Sequence, residues 1–131
     1  MAHILIVDGV PDTLTVTETI LRNAGHTVFC ETDGLDALRT AARHRPDLIL
    51  IDLSLRHMDG IETTRRLKAS PATAHIPIIA CTAQSQRATV ARALEVGCAA
   101  LLPKPFLIDE LLAMVDEVLG YTSDWSAPVL G

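Results

Sequence analysis

The chain has 131 residues, 49% of them hydrophobic and 21% charged, which suits one globular domain and leaves too little material for two independent cores. Lysine and arginine total 11 against 16 aspartates and glutamates, a net charge of −5 with neutral histidines. That balance argues against a nucleic-acid module built on a basic face, and an aromatic content of 3% argues against a stacking platform for single strands.

The chain reads as alternating strands and helices. HILIV at His3–Val7 predicts a first strand. Pro11 suits a first helical turn, Val16, Ile20 and Ala24 recur at helical spacing, and Gly25 can end that helix. TVFCE at Thr27–Glu31 predicts a second strand, and Asp33–Gly34 a turn. Leu35, Leu38, Ala41 and Ala42 mark a second helix, which Pro46 closes. DLILID at Asp47–Asp52 is a buried strand ending in a carboxylate. A turn at Asp59–Gly60 precedes a third helix over Ile61–Ala69. IPIIAC at Ile76–Cys81 predicts a fourth strand, Gln84–Val96 a fourth helix closed by Gly97, and Ala99–Leu102 a fifth strand. Ile108, Leu111, Leu112, Val115, Val118 and Leu119 hold the amphipathic pattern of a fifth helix.

Five strands alternating with five helices imply a parallel sheet covered on both faces, and nearly continuous apolar strands agree. A domain over 1–120 is expected, with 121–131 as a loosely attached polar tail that carries Trp125. Cys30, Cys81 and Cys98 are odd in number, lack metal-ligand spacing and sit in apolar company, so buried thiols are expected. His3, His26, His44, His57 and His75 show no paired metal spacing. No apolar run approaches the ~20 residues that span a bilayer. The first residues lack the flanks of a signal peptide, so a reduced, cytoplasmic setting is expected.

In an open parallel sheet, ligands bind beyond the carboxyl ends of the strands. Asp8 follows the first strand, Asp52 ends the third, Thr82 follows the fourth and Lys104 follows the fifth. If strands one and three are neighbours, the two carboxylates face each other and call for a cation. Mg²⁺ fits, being a hard ion often held by one or two carboxylates plus phosphate. Lys104 suits neutralising a phosphoryl group or Asp52 itself, and Thr82 suits donating to a phosphoryl oxygen. The set suits phosphoryl transfer to a carboxylate, in which positioning and charge neutralisation carry most of the catalysis.

On these residues the chain resembles the receiver domain of two-component response regulators, in the manner of single-domain chemotaxis regulators. The resemblance runs from about Ala2 to Leu119 and rests on ILIVD at 4–8, PDLILID at 46–52, MDG at 58–60, IPIIACTA at 76–83 and PKPF at 103–106. It implies a flavodoxin-like doubly wound sheet of strand order 2-1-3-4-5. It implies Asp52 as phosphoacceptor and Mg²⁺ held by Asp8, Asp52 and the backbone carbonyl of Ser54. It makes Thr82 the switch hydroxyl, Lys104 the contact to the phosphoryl group, and Lys104–Pro105 a candidate cis peptide. The implied donor is a sensor histidine kinase or a phosphotransfer protein. A downstream protein would read the face of helix four, strand five and helix five, with no direct nucleic acid or membrane contact, in a monomer or weak dimer. Such a protein accepts and loses phosphoryl without being a turnover enzyme.

Three departures accompany the match. Gly9 stands where the family usually has a second acid that ligates Mg²⁺, so weaker metal binding and slower phosphorylation are expected; Asp12, three residues on, is the nearest substitute, and otherwise a solvated first-turn acid. Arg56 stands where the family often has proline. Leu101 stands where many members carry an aromatic ring that changes position with the threonine. Gly9 and Leu101 favour a second reading, a degenerate receiver that binds partners without phosphorylation. A third class, an aspartate-nucleophile phosphatase or a flavin protein, fits poorly. The phosphatase wants an acid where Ser54 stands, and the flavin protein wants a phosphate-cradling loop and stacking aromatics.

Overall fold

The computed structural model describes residues 1–55, 58–82 and 87–121. Arg56, Gln84 at the expected start of the fourth helix, and Trp125 lie outside the described residues. The elements run β1 (His3–Val7), α1 (Pro11–Asn23), β2 (Thr27–Glu31), α2 (Gly34–His44), β3 (Leu48–Asp52), α3 (Gly60–Ala69), β4 (Ile78–Thr82), α4 (Arg87–Glu95), β5 (Ala100–Pro103) and α5 (Ile108–Leu119). All neighbouring strands pair in parallel, in the expected order β2-β1-β3-β4-β5. β1 and β3 are neighbours, with Val7 opposite Ile51.

Strand alternation sorts the core into two layers. Leu5, Val7, Ile49, Ile51, Ile78 and Ala80 face one layer with α2, α3 and α4 residues such as Ala41, Leu67 and Ala93. Ile4, Ile6, Leu48, Leu50, Ile79 and Leu102 face the other with Leu14 and Leu21 of α1 and Leu111 and Val115 of α5. Leu111 and Val115 are fully buried. Each stabilises the fold by about 1.5–3 kcal/mol through apolar burial.

The structure corrects several details. β4 starts at Ile78 rather than Ile76. Pro77 has no N–H to donate, and its carbonyl only accepts from Ile49. On α1 the core face is Leu14, Thr17 and Leu21, whereas Val16 is 59% exposed. A strict i+4 stripe drifts around the helix, and Val16 turns instead to an open apolar groove beside Pro105 and Phe106. On α2 Ala37 and Ala41 are buried while Leu35 is exposed, and Ile108 of α5 is exposed as well. Cys81 and Cys98 are buried, but Cys30 is only half-buried, with its thiol pushed up to about 11 by burial and by Glu18.

Asp33 and Asp59 act as helix N-caps. Their carboxylates accept from Leu35 N and Glu62 N at 2.7 Å. Such caps stabilise a helix by about 1 kcal/mol. The glycine after each cap is there for close approach. A Cβ on Gly34 would collide with the Thr63 hydroxyl. One on Gly60 would lie 2.5 Å from Leu53 Cα and 2.6 Å from the Asp52 carbonyl oxygen.

Candidate functional site

The same alternation that builds the core aims the site. Ile4 and Ile6 face the α1 and α5 layer, so Asp8 continues that face beyond β1. Leu48 and Leu50 do the same for Asp52, and Ala100 and Leu102 for Lys104. The ends of three strands thus deliver two carboxylates and one ammonium to a single cleft. Cys81, opposite Asp52 in the register, is on that face too. Thr82 follows Ile78 and Ala80 and so approaches the strand ends from the opposite face.

Asp8 is 4% exposed and Asp52 is 9% exposed. Carboxylates this buried need partners, and both have them. Asp52 Oδ1 accepts from the Ser54 backbone N–H at 2.9 Å, and Oδ2 accepts from Lys104 Nζ at 3.1 Å. Asp8 Oδ1 accepts from the Val10 backbone N–H at 2.9 Å, and Oδ2 from the Thr13 hydroxyl at 2.7 Å. Lys104 Nζ lies 3.5 Å from Asp8 Oδ2, so one ammonium bridges both acids. Burial works against that charge, but the hydrogen bond to Asp52 and the attraction of Asp52 and Asp8 outweigh it and hold the lysine above its ordinary pKa. Burial pushes the Cys81 thiol up to about 12, leaving it protonated and uncharged at neutral pH.

Backbone bonds fix the frame. Asp8 N–H donates to the Glu31 carbonyl, Leu53 N–H to Cys81, and Lys104 N–H to Thr82 at 2.7 Å. Thr82 is therefore buried beside the backbone that carries Lys104. The Lys104–Pro105 peptide is cis. A cavity of about 10 Å³, about the size of one water, lies beneath Asp8, Asp52, Lys104 and Phe106, with Thr17 and Cys81 in its wall.

All five sequence-predicted positions lie at this end of the sheet. Asp8 and Asp52 each pair with Lys104, Ser54 is held to Asp52 through its amide, and Thr82 is tied in through its carbonyl. Asp12 is exposed, so the acid weighed as a substitute for Gly9 is a surface residue. Sequence reasoning missed Thr13 and Gly60. A hydroxyl five residues after Asp8 carries no motif, whereas the glycine of MDG was legible as a turn but not as the residue that lets α3 abut Asp52.

The donor set fits a magnesium ion. Two buried carboxylates already converge on one cation, the protein's own ammonium, and every candidate ligand is a hard oxygen. The set is sparse, with no cluster of three histidine, cysteine or acidic side chains able to hold a metal among the described residues. Among the described residues, a Cβ on Gly9 would meet Thr32 O at 3.7 Å and Leu55 Cδ2 at 3.9 Å, both ordinary contacts. None of the described residues therefore requires glycine there on steric grounds.

Comparison with known proteins agrees with this geometry. Residues 4–116 match the family model described as the response regulator receiver domain. The chain is 32% identical over 117 residues to the polar-differentiation response regulator DivK of Brucella anthropi, covering 89% of this chain and 95% of DivK. It is 38% identical over 111 residues to the response regulator PleD of Caulobacter vibrioides, covering 85% of this chain but only 24% of PleD. The receiver domain of a Pseudomonas aeruginosa PAO1 sensor histidine kinase, crystallised with magnesium in its active-site cleft, superposes with a TM-score of 0.85. It shares 36% identity, over 91% of this chain and 98% of that one.

Proposed function

Because the chain belongs to the response regulator receiver domain family, we propose that it accepts a phosphoryl group on Asp52 from a histidine kinase or phosphotransfer protein and signals through protein contacts. One observation carries the reading: Asp8 and Asp52, on adjacent strands, share the ammonium of Lys104. In the transfer, a carboxylate oxygen of Asp52 forms the new O–P bond as the P–N bond to the donor imidazole breaks, and the nitrogen keeps the electron pair. The Ser54 amide and Lys104 orient the carboxylate in line. Lys104 then follows the negative charge onto the phosphoryl oxygens, and Thr82 supplies a hydroxyl from the opposite side. Asp8, Asp52 and the Ser54 carbonyl would hold Mg²⁺, which neutralises charge on the transferring group. With Gly9 the site keeps a net charge of −1 rather than −2, so the affinity for Mg²⁺ falls below that of a site with a second acid.

Leu101 is half-buried against the core and has no ring to swing. The output face is proposed around α4, β5 and α5, where Leu94 and Ile108 are exposed. The described helices include none long and apolar enough to cross a membrane. We place the protein in the cytoplasm, as a phosphoryl carrier rather than a turnover enzyme.

Gly9 supports a second reading, a partner-binding module that works unphosphorylated. Intact-mass spectrometry after incubation with acetyl phosphate and Mg²⁺ separates the two. A phosphoryl adduct in the wild type, absent in Asp52→Asn and in chelator, is the expected result. Absence of an adduct in the wild type at saturating Mg²⁺ would favour the second reading.

A further inference from the structure

Cation binding under the reading above depends on Asp8, since Gly9 offers no side-chain oxygen. The residue that fixes the reactive edge of Asp8 is Thr13, in the first turn of α1. Its hydroxyl lies 2.7 Å from Asp8 Oδ2 and 3.0 Å from the Val10 carbonyl oxygen. One hydroxyl proton serves one acceptor at a time. The Val10 carbonyl already accepts from Leu14 N–H at 3.0 Å, and Val10 itself, the N-cap residue, offers no side-chain cap. The charged, nearer oxygen of a 4%-exposed aspartate is the stronger acceptor. The proton therefore goes to Asp8.

We propose that Thr13 is a positioning residue for the divalent cation. With Oδ1 tied to the Val10 amide and one lone pair of Oδ2 tied to Thr13, the carboxylate cannot rotate. Its remaining Oδ2 lone pair faces Lys104, on the side of Asp52. Hydrogen-bond partners that orient a metal ligand typically account for about 10–100-fold in metal affinity. Where a second acid is missing, that contribution falls on a larger share of the site.

The test is a Mg²⁺ titration of the full chain followed by backbone amide shifts in NMR, with Thr13→Val, Thr13→Ser and the same Val substitution in an Asp8→Asn background. Valine keeps the shape and removes the hydroxyl; serine keeps the hydroxyl. The expected result is an affinity loss of about tenfold or more in Thr13→Val, wild-type affinity in Thr13→Ser, and no further loss when Thr13→Val is added to Asp8→Asn. A mere helix-capping role would shift the urea midpoint without this pattern. Unchanged or tighter Mg²⁺ binding in Thr13→Val, or an equal loss in the Asp8→Asn background, overturns the proposal. A phosphoryl adduct with unchanged Mg²⁺ affinity in Thr13→Val would sink the Thr13 role alone. Lack of an adduct in the wild type at saturating Mg²⁺ would sink the acceptor reading, while the titration still judges Thr13.

Discussion

The two halves of the cleft are built differently. The Asp52 half sits on a central strand and is closed by backbone: the Ser54 amide holds Oδ1, and Gly60 lets α3 abut the Asp52 carbonyl. The Asp8 half sits where β1 leaves the sheet, and a short loop and one helical turn support it. Its carboxylate relies on the Val10 amide and the Thr13 hydroxyl, with glycine beside it. Lys104 joins the halves, 3.1 Å from one acid and 3.5 Å from the other. The acceptor is thus set by the sheet itself, while the cation side is thin and open to adjustment.

Perturbing each half should give effects of different size. The largest is expected at Gly60, where an added methyl would collide with backbone atoms of Asp52 and Leu53, which cannot yield as a side-chain tip can. Gly60→Ala should cost about 3 kcal/mol of stability, read as a shift of the urea midpoint. It should also slow adduct formation at Asp52. A midpoint equal to wild type would mean that α3 does not hold the acceptor strand. Next is the bridge. Lys104→Met leaves two buried carboxylates sharing no cation, at a cost of about 2 kcal/mol near neutral pH. Because the lysine's pKa is raised in the fold, its contribution is complete below the ordinary lysine value and fades as pH rises through the raised one. The urea midpoints of wild type and Lys104→Met should therefore converge in strong alkali. A gap that stays constant would show that the lysine stem, not its charge, stabilises the site.

The asymmetry also governs what the sequence could show. The strand order was legible only through the family resemblance that the motifs carry, whereas the aim of Asp8, Asp52 and Lys104 follows from alternation along each strand, which is local. Thr13 and Gly60 act through contacts between elements, Thr13 back to the end of β1 and Gly60 across to the end of β3. No window of sequence carries those distances. Val16 shows the same limit: helical spacing marked it as core, yet it lines an open groove with Pro105 and Phe106 instead.

The most direct test of this account is phosphoryl occupancy at Asp52 measured against Mg²⁺ concentration, wild type beside Gly9→Asp. Among the described residues, a Cβ at position 9 meets no atom closer than 3.7 Å. If the acceptor half is complete and only the cation half is thin, both proteins should reach the same plateau. The Gly9→Asp midpoint should then fall about tenfold lower in Mg²⁺, equivalent to about 1.4 kcal/mol. Coincident curves would contradict the account, because the missing carboxylate would then have no part in cation binding.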